Sequence, residues 1–454
     1  MVRRHRLEHT GSMSASVLET SSAVGEDLVV PPVPEGIADT GVPGSLIEQL
    51  IINILYFRGE LLGRDLGQAL GLKFSVIEEI IETLKRQHMI TAKRSLGIGN
   101  MSAMFTLAEP GRNAARDCLE MNQYSGPTPV PLHQYTAVVR RQRHPDKWLT
   151  PDGLRKALKH LVVTPELVNQ IGPAVNAGKS FLIYGQPGNG KTALAESLFR
   201  IESTPIYIPY AIECQGNIIQ VFDPIYHQRI DEEESVFSAV ATEPTYDHRW
   251  FRAKRPFIIS GGELTLSMLD LSYNESSKIY DAPFQVKANN GIYLIDDFGR
   301  QRATPAEVLN RWVVPMERHV DYLSFRTGGK MTVPFEAFLL FSTNLKPDQL
   351  GDEAFLRRIQ YKMLVRNPAE EEYRKIFERF CDSRGLECPE GALDRLIANR
   401  YQATRRPMRR CQPRDLISHA IDFIQFEDRP WLLDDDVLDR AWESCFADSR
   451  DLDG

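Results

Sequence analysis

No C-x-x-C pair occurs in this chain. Its six cysteines, Cys118, Cys214, Cys381, Cys388, Cys411 and Cys445, lie scattered through the sequence. Neither a zinc site nor a disulfide framework is suggested, and the pattern fits a reducing, cytoplasmic setting. Long apolar runs are missing too. None approaches the ~20 residues of a membrane span, so no membrane insertion is expected. Arg3, Arg4 and Arg6 sit near the start, but no apolar core follows them, so they do not read as a signal peptide. A surplus of positive charge is missing as well, with 54 Lys/Arg against 61 Asp/Glu. A formal net charge of -7 gives no support to non-specific nucleic-acid binding by the whole molecule. What remains, 42% hydrophobic and 25% charged residues over 454 positions, describes a soluble globular protein of two or three domains.

The most informative stretch is Phe181 to Thr192. Phe181, Leu182, Ile183 and Tyr184 form a short apolar run that reads as a buried strand. Gly185, Gln186, Pro187, Gly188, Asn189, Gly190, Lys191 and Thr192 then satisfy the phosphate-loop pattern G-x-x-x-x-G-K-[ST]. Glycines let the backbone curl until its N–H groups face a phosphate. The helix expected to follow, Ala193 to Arg200, aims its positive dipole end at the same anion. Lys191 supplies a cation for the terminal phosphates, and the Thr192 hydroxyl can complete a Mg2+ shell.

Further along, Gly291 to Phe298 is an apolar strand that ends in two carboxylates, Asp296 and Asp297. It resembles a Walker B motif. A carboxylate there holds the Mg2+ shell and its neighbour polarises the attacking water. Related families mostly place Glu second. Asp297 is one methylene shorter, which predicts slower hydrolysis. Tyr322 to Phe335 reads as a hairpin around Thr327–Lys330. The strand Phe338–Thr343 ends in Asn344, a candidate phosphate sensor or a simple cap. Arg357 and Arg358 are candidates for an arginine finger, or a solvated basic pair. Four helices are expected over 370–384, 390–399, 413–425 and 434–445. Arg414 opens the third, after an arginine cluster, Arg405, Arg406, Arg409 and Arg410, that could equally be a docking face.

Upstream, apolar spacing predicts helices beginning at Ser45, Leu61 and Ser75, then a hairpin from Met89 to Leu107. This resembles a winged helix-turn-helix, with Phe105 to Arg112 as the end of the wing. Residues 45 to 123 hold nine Lys/Arg against nine Asp/Glu. Glu78, Glu79 and Glu82 lie on the presumed reading helix. Both facts favour protein docking over DNA contact, for which Lys93 and Arg94 are the only well-placed basic pair. Residues 1–43 read as a disordered leader. Residues 124–153 read as a proline-stiffened connector whose arginines form a solvated face.

The order of these parts resembles an AAA+ ATPase of the pre-sensor-1 hairpin, MoxR-like type. The resemblance implies a P-loop α/β domain, its parallel sheet sandwiched by helices, over 154–366, and a helical lid over 367–454. The winged-helix-like α+β domain would occupy 44–123. It also implies a homo-oligomer, a hexameric ring, that hydrolyses Mg-ATP at subunit seams. Gly185 to Ala193 and Arg414 would bind ATP. Thr192 and Asp296 would hold Mg2+. Lys191, Asp297 and Asn344 would act on the reaction, with Arg357 or Arg358 completing a neighbour's site. The long interval between the two Walker motifs predicts an insertion in 213–253 or 261–290. Pore-loop candidates are 214–217 and 222–226. Three functions follow: an ATPase that remodels a protein client recruited through 44–123, a DNA-associated ATPase or transcription regulator, and an ATP-binding scaffold with weak turnover.

Overall fold

The computed structural model describes residues 29–95, 99–144, 149–201, 203–230, 245–351 and 353–446. At its centre is a five-stranded parallel sheet. In chain order its strands are β1 (Phe181–Tyr184), β2 (Phe257–Ser260), β3 (Ile292–Ile295), β4 (Phe338–Thr343) and β5 (Tyr361–Leu364). They lie in the order β2-β3-β4-β1-β5. The phosphate-loop strand is therefore flanked by the strand that ends in Asn344, with the Asp296 strand one further on. Every residue of β4 is buried, as expected of a strand covered by helices on both faces. The chain has a P-loop α/β fold, with the glycine-rich loop leaving an inner strand of a parallel sheet.

Ahead of it stand helices Gly44–Arg58, Gly63–Leu70 and Phe74–Arg86 and a small antiparallel sheet, Leu61–Leu62 against Ala103–Leu107 against Ile90–Ser95. Val76, Ile77, Ile80, Ile81 and Leu84 recur at helical spacing and are all buried. The expected wing end is corrected. The strand stops at Leu107 and Glu109–Met121 is a helix, opened by Pro110 in its first turn, where no N–H is needed.

Two further expectations fail. The part of the leader from residue 29 onward is ordered, whereas residues 1–28 lie outside the described residues. Ile37–Thr40 forms a helical turn, Thr40 and Val42 are buried, and Pro31 O accepts the Asp247 amide. The connector is not an extended spacer. Val130–Pro131 pairs in parallel with Ala211–Cys214, and Leu132–Arg141 is a helix that buries Tyr135, Val138 and Val139. Of its arginines, Arg140 and Arg141 are exposed, while Arg143 is ion-paired with Glu336.

The insertion draws on both expected intervals. Ser272–Asn274, Ile279–Asp281, Asn217–Gln220, Ala211–Cys214 and Val130–Pro131 make a second five-stranded sheet. The segment expected as the next strand, Pro205 to Ala211, gives Ile206–Pro209 instead. It pairs antiparallel with Trp250–Ala253, outside the central sheet. All four of its residues are buried, so its composition did not distinguish the two sheets. The hairpin is Val320–Ser324 and Lys330–Pro334. Its Leu323, Phe325, Met331 and Val333 share one core with Ile212, Ile219 and Tyr280 of the insertion. Its tip is tied there as well: Gln215 Nε2 donates to Lys330 O at 3.2 Å, and Arg326 pairs with Glu275.

The insertion also completes the front-end core. Ala211, Ile218 and Ile279 are buried among Leu50, Ile51 and Ile54 of the first long helix. The lid helices are Glu370–Arg384, Ala392–Leu396, Gln412–Phe426 and Asp435–Cys445. The second widens into a π-helical turn, Ile397–Gln402, where the expected helix would have ended.

Candidate nucleotide site

The phosphate loop leaves β1 at Gly185, whose φ is +151°; a Cβ there would collide with Val365 O on the β5 side. The loop closes into the helix Lys191–Leu198. Lys191 is 6% exposed, and its ammonium donates to Gly185 O at 3.0 Å, Gln186 O at 3.1 Å and Asn344 Oδ1 at 2.7 Å. Burial lowers its pKa, with Arg409 adding to the effect, while Asp297 and Asp296 oppose it.

The acidic strand meets this loop through two bonds. Thr192 Oγ1 donates to Asp296 Oδ2 at 2.9 Å. Asn344 Nδ2 donates to Asp297 Oδ1 at 2.9 Å. Asn344 thus joins the loop lysine to the second carboxylate, with one polar end on each. Asp297 adopts a left-handed backbone (φ +49°), and its amide donates to Asp296 Oδ1 at 3.0 Å. This turn sets its shorter side chain against Asn344. The Thr192 hydroxyl and the Asp296 carboxylate are two oxygens on a shared face. They suit Mg2+, which is held by one or two protein oxygens and keeps several waters.

These groups floor a cleft of about 580 Å³. Leu161, Val163, Leu167, Ile376 and Phe380 give it an apolar wall, and Ala193 and Arg414 also line it. A polar floor with an apolar wall is the usual make-up of a small-molecule site. Sequence reasoning missed this wall, because its two halves are some 200 residues apart and meet only in the folded chain.

The arginine cluster has a clearer role than the sequence offered. Arg409 donates to Pro187 O at 3.1 Å, and the Cys411 amide donates to Gly188 O at 2.8 Å. Arg410 reaches Val162 O at 2.8 Å and Glu372 at 2.9 Å. Arg406 lies over Phe446, 4.5 Å from the ring centre, inside the lid. Arg414 reaches the cleft but rests on Asp415 at 3.0 Å. Asn189 donates to Asn367 Oδ1 at 2.7 Å, and its own buried Oδ1 has no partner. Arg357 and Arg358 are not brought to this cleft. Arg357 is exposed, and Arg358 pairs with Glu317 at 3.3 Å. Of the pore-loop candidates, Asn217 begins a strand of the second sheet and Gln215 binds the hairpin. Among the described residues no cluster of three metal-ligating side chains occurs, and no helix is long and apolar enough to cross a membrane. All six cysteines are free.

Residues 369–444 match a family described as a domain of unknown function (DUF8689). No curated protein matches the chain. Among solved structures, NtrX from Brucella abortus in complex with ATP is similar at 13% identity and a TM-score of 0.36, over 72% of this chain and 61% of that one. A second NtrX structure from the same organism gives 13% and 0.36, over 72% and 60%. A RuvB P216G mutant from Thermotoga maritima gives 13% and 0.33, over 66% and 71%. The chain thus spans about 61% of the length of the first of these. At such distances the activity has to be argued from this chain's own side chains.

Proposed function

We propose that this chain is an ATPase that binds Mg-ATP in the cleft and couples its hydrolysis to the remodelling of a protein or protein complex. The observation that carries the reading is the chain of contacts Lys191–Asn344–Asp297 beside Thr192–Asp296, all on the floor of one cleft. Lys191 would exchange its loop carbonyls for phosphate oxygens. Asp297 would orient and deprotonate the attacking water, with Asn344 fixing its carboxylate. Thr192 and Asp296 would hold Mg2+, which would offset charge that develops on the phosphates. Lid residues Arg409 and Cys411 grip the loop backbone, so a change in the loop on hydrolysis would reach the lid directly.

Arg357 and Arg358 lie away from this cleft, which supports a role at the site of a neighbouring copy in a homo-oligomeric ring. The front end resembles a winged helix, and its surface supports a protein partner over DNA. Lys93 pairs with Glu60, Lys85 with Glu82 and Lys73 with Glu35, so these three lysines already have carboxylate partners. Tyr56, Phe57, Met101 and Met121 are exposed there.

The decisive test is to measure Mg-ATP binding, ATPase rate and particle mass on the full chain beside Lys191→Ala. Binding and turnover by the wild type, both lost in the variant, support the proposal. A wild type without affinity for Mg-ATP overturns it. One observation favours a scaffold with slow turnover: the second carboxylate is the shorter Asp297. Asp297→Glu would raise the rate severalfold if side-chain reach limits it, and an unchanged or lower rate rules that out.

A further inference from the structure

The elements that build the nucleotide cleft have their far ends in a second cavity, of about 700 Å³. The helix that starts at Lys191 runs out at Phe199 and Arg200, while β3 begins at Ile292 and β4 at Phe338, all of which line this space. Its charge is lopsided. Glu336 is the one carboxylate among the described lining residues, and Arg143 neutralises it. That leaves Arg200, Lys254 and Arg255 on the positive side.

Arg255 is the unusual one. It is 9% exposed, and its guanidinium donates to neutral acceptors only: Asn290 O at 2.8 Å, Gln142 O at 2.9 Å and Thr204 Oγ1 at 3.4 Å. Its Nε has no partner. Among the described residues Arg255 has no counter-ion, and a buried cation so placed is costly unless something anionic completes it. Burial alone pushes its pKa down to about 10, so it stays charged at neutral pH. On the rim, Phe199 is 42% exposed, with its ring stacked on Phe257 at 5.5 Å between centres. One flat aromatic face beside the exposed Arg200 and Lys254, with the buried Arg255 in the same lining, matches a planar base joined to a phosphate.

We propose that this cavity is a second nucleotide site, distinct from the cleft at Lys191. It takes a mononucleotide whose phosphate meets Arg255, Arg200 and Lys254 and whose base lies on Phe199. Guanidinium forks recognise phosphate oxygens in pairs, which an isolated surface lysine cannot do. The proposal does not depend on hydrolysis in the first cleft.

The test is titration calorimetry of AMP, GMP and inorganic phosphate into the full chain. Its variants are Lys191→Ala, Phe199→Ala and the double change Arg200→Glu with Lys254→Glu, which alters exposed side chains and leaves the core alone. The expected result is binding of a monophosphate to wild type and to Lys191→Ala alike. It should weaken about tenfold or more in the double variant, as loss of charge-assisted hydrogen bonds predicts. No binding of AMP or GMP up to about 1 mM, an affinity too weak for a built site, overturns the proposal. So does binding that Lys191→Ala abolishes and the double variant leaves intact. Inorganic phosphate binding as tightly as AMP, with Phe199→Ala silent, overturns the nucleotide assignment.

Discussion

Arg249 offers a sharp test of how the front end is joined to the rest. It is 1% exposed and its partner Asp247 is 2% exposed. Its Nη2 lies 2.8 Å from Asp247 Oδ2, and its Nε reaches both carboxylate oxygens, at 3.1 and 3.0 Å. The remaining donors leave the insertion: Nη1 goes to Thr40 O at 2.7 Å and Nη2 to Gln134 Oε1 at 3.1 Å. One guanidinium therefore ties the insertion, the leader end and the connector helix together. Arg249→Met keeps the volume and removes the charge. Among the described residues Asp247 is then left buried with only the backbone amide of residue 249, and Thr40 O and Gln134 lose a donor. Breaking a buried pair on one side costs about 3–5 kcal/mol. Adding Asp247→Asn removes the stranded charge and should recover a good part of that loss. Trp250, next in sequence and 2% exposed, gives a fluorescence signal for urea unfolding of this region. A single variant within about 1 kcal/mol of wild type, well below the cost of a broken buried pair, would refute the reasoning. So would a double variant less stable than the single.

Asn344→Ala removes the link between Lys191 and Asp297. It should lower kcat about ten- to a hundredfold, with KM changing less than about threefold, in steady-state ATPase assays. Gly188→Ala should weaken nucleotide binding about tenfold, since φ is +80° and the new Cβ would lie 2.7 Å from Cys411 Sγ; Cys411→Ala in the same chain should restore part of it, as read by calorimetry. His144 is pushed down to about 3 by burial, with Arg255 adding to the effect. The unfolded chain therefore takes up a proton near pH 6.5 that the folded chain refuses, and stability falls as pH drops through that value. Between pH 7 and pH 5 the loss from this group is about 2 kcal/mol. His144→Asn should flatten that part of the urea midpoint–pH curve.

The sequence was most legible where function and local geometry coincide. Gly185 to Thr192 must curl, must follow a strand and must open a helix, so a short pattern sufficed. The same holds for the strand ending at Asp296 and for the lid helices, whose caps and apolar spacing are local. The connector helix was hidden because prolines and arginines dominate 124–145, although Tyr135, Val138 and Val139 already stood at helical spacing. The insertion was illegible in another way. Ile206–Pro209 is uniformly apolar, and nothing local tells such a segment which sheet will accept it. Arg409 and Arg410 drew attention as charges, yet what matters is that their donors reach loop carbonyls some 220 and 248 residues away. Side-chain chemistry was visible in these cases, and long-range pairing was not.

The shared burial of Ala211, Ile218 and Ile279 has a practical consequence for anyone dividing this protein. A fragment starting near residue 154 would lose the strand Val130–Pro131 from its second sheet and leave those three aliphatic side chains wet. Such a piece would be expected to stick to itself, and the complementary front piece would suffer likewise. The two halves should therefore be expressed as one polypeptide. By the same token, a force applied to the front end would pass directly into the sheet to which the hairpin tip is bound, with no slack tether between them.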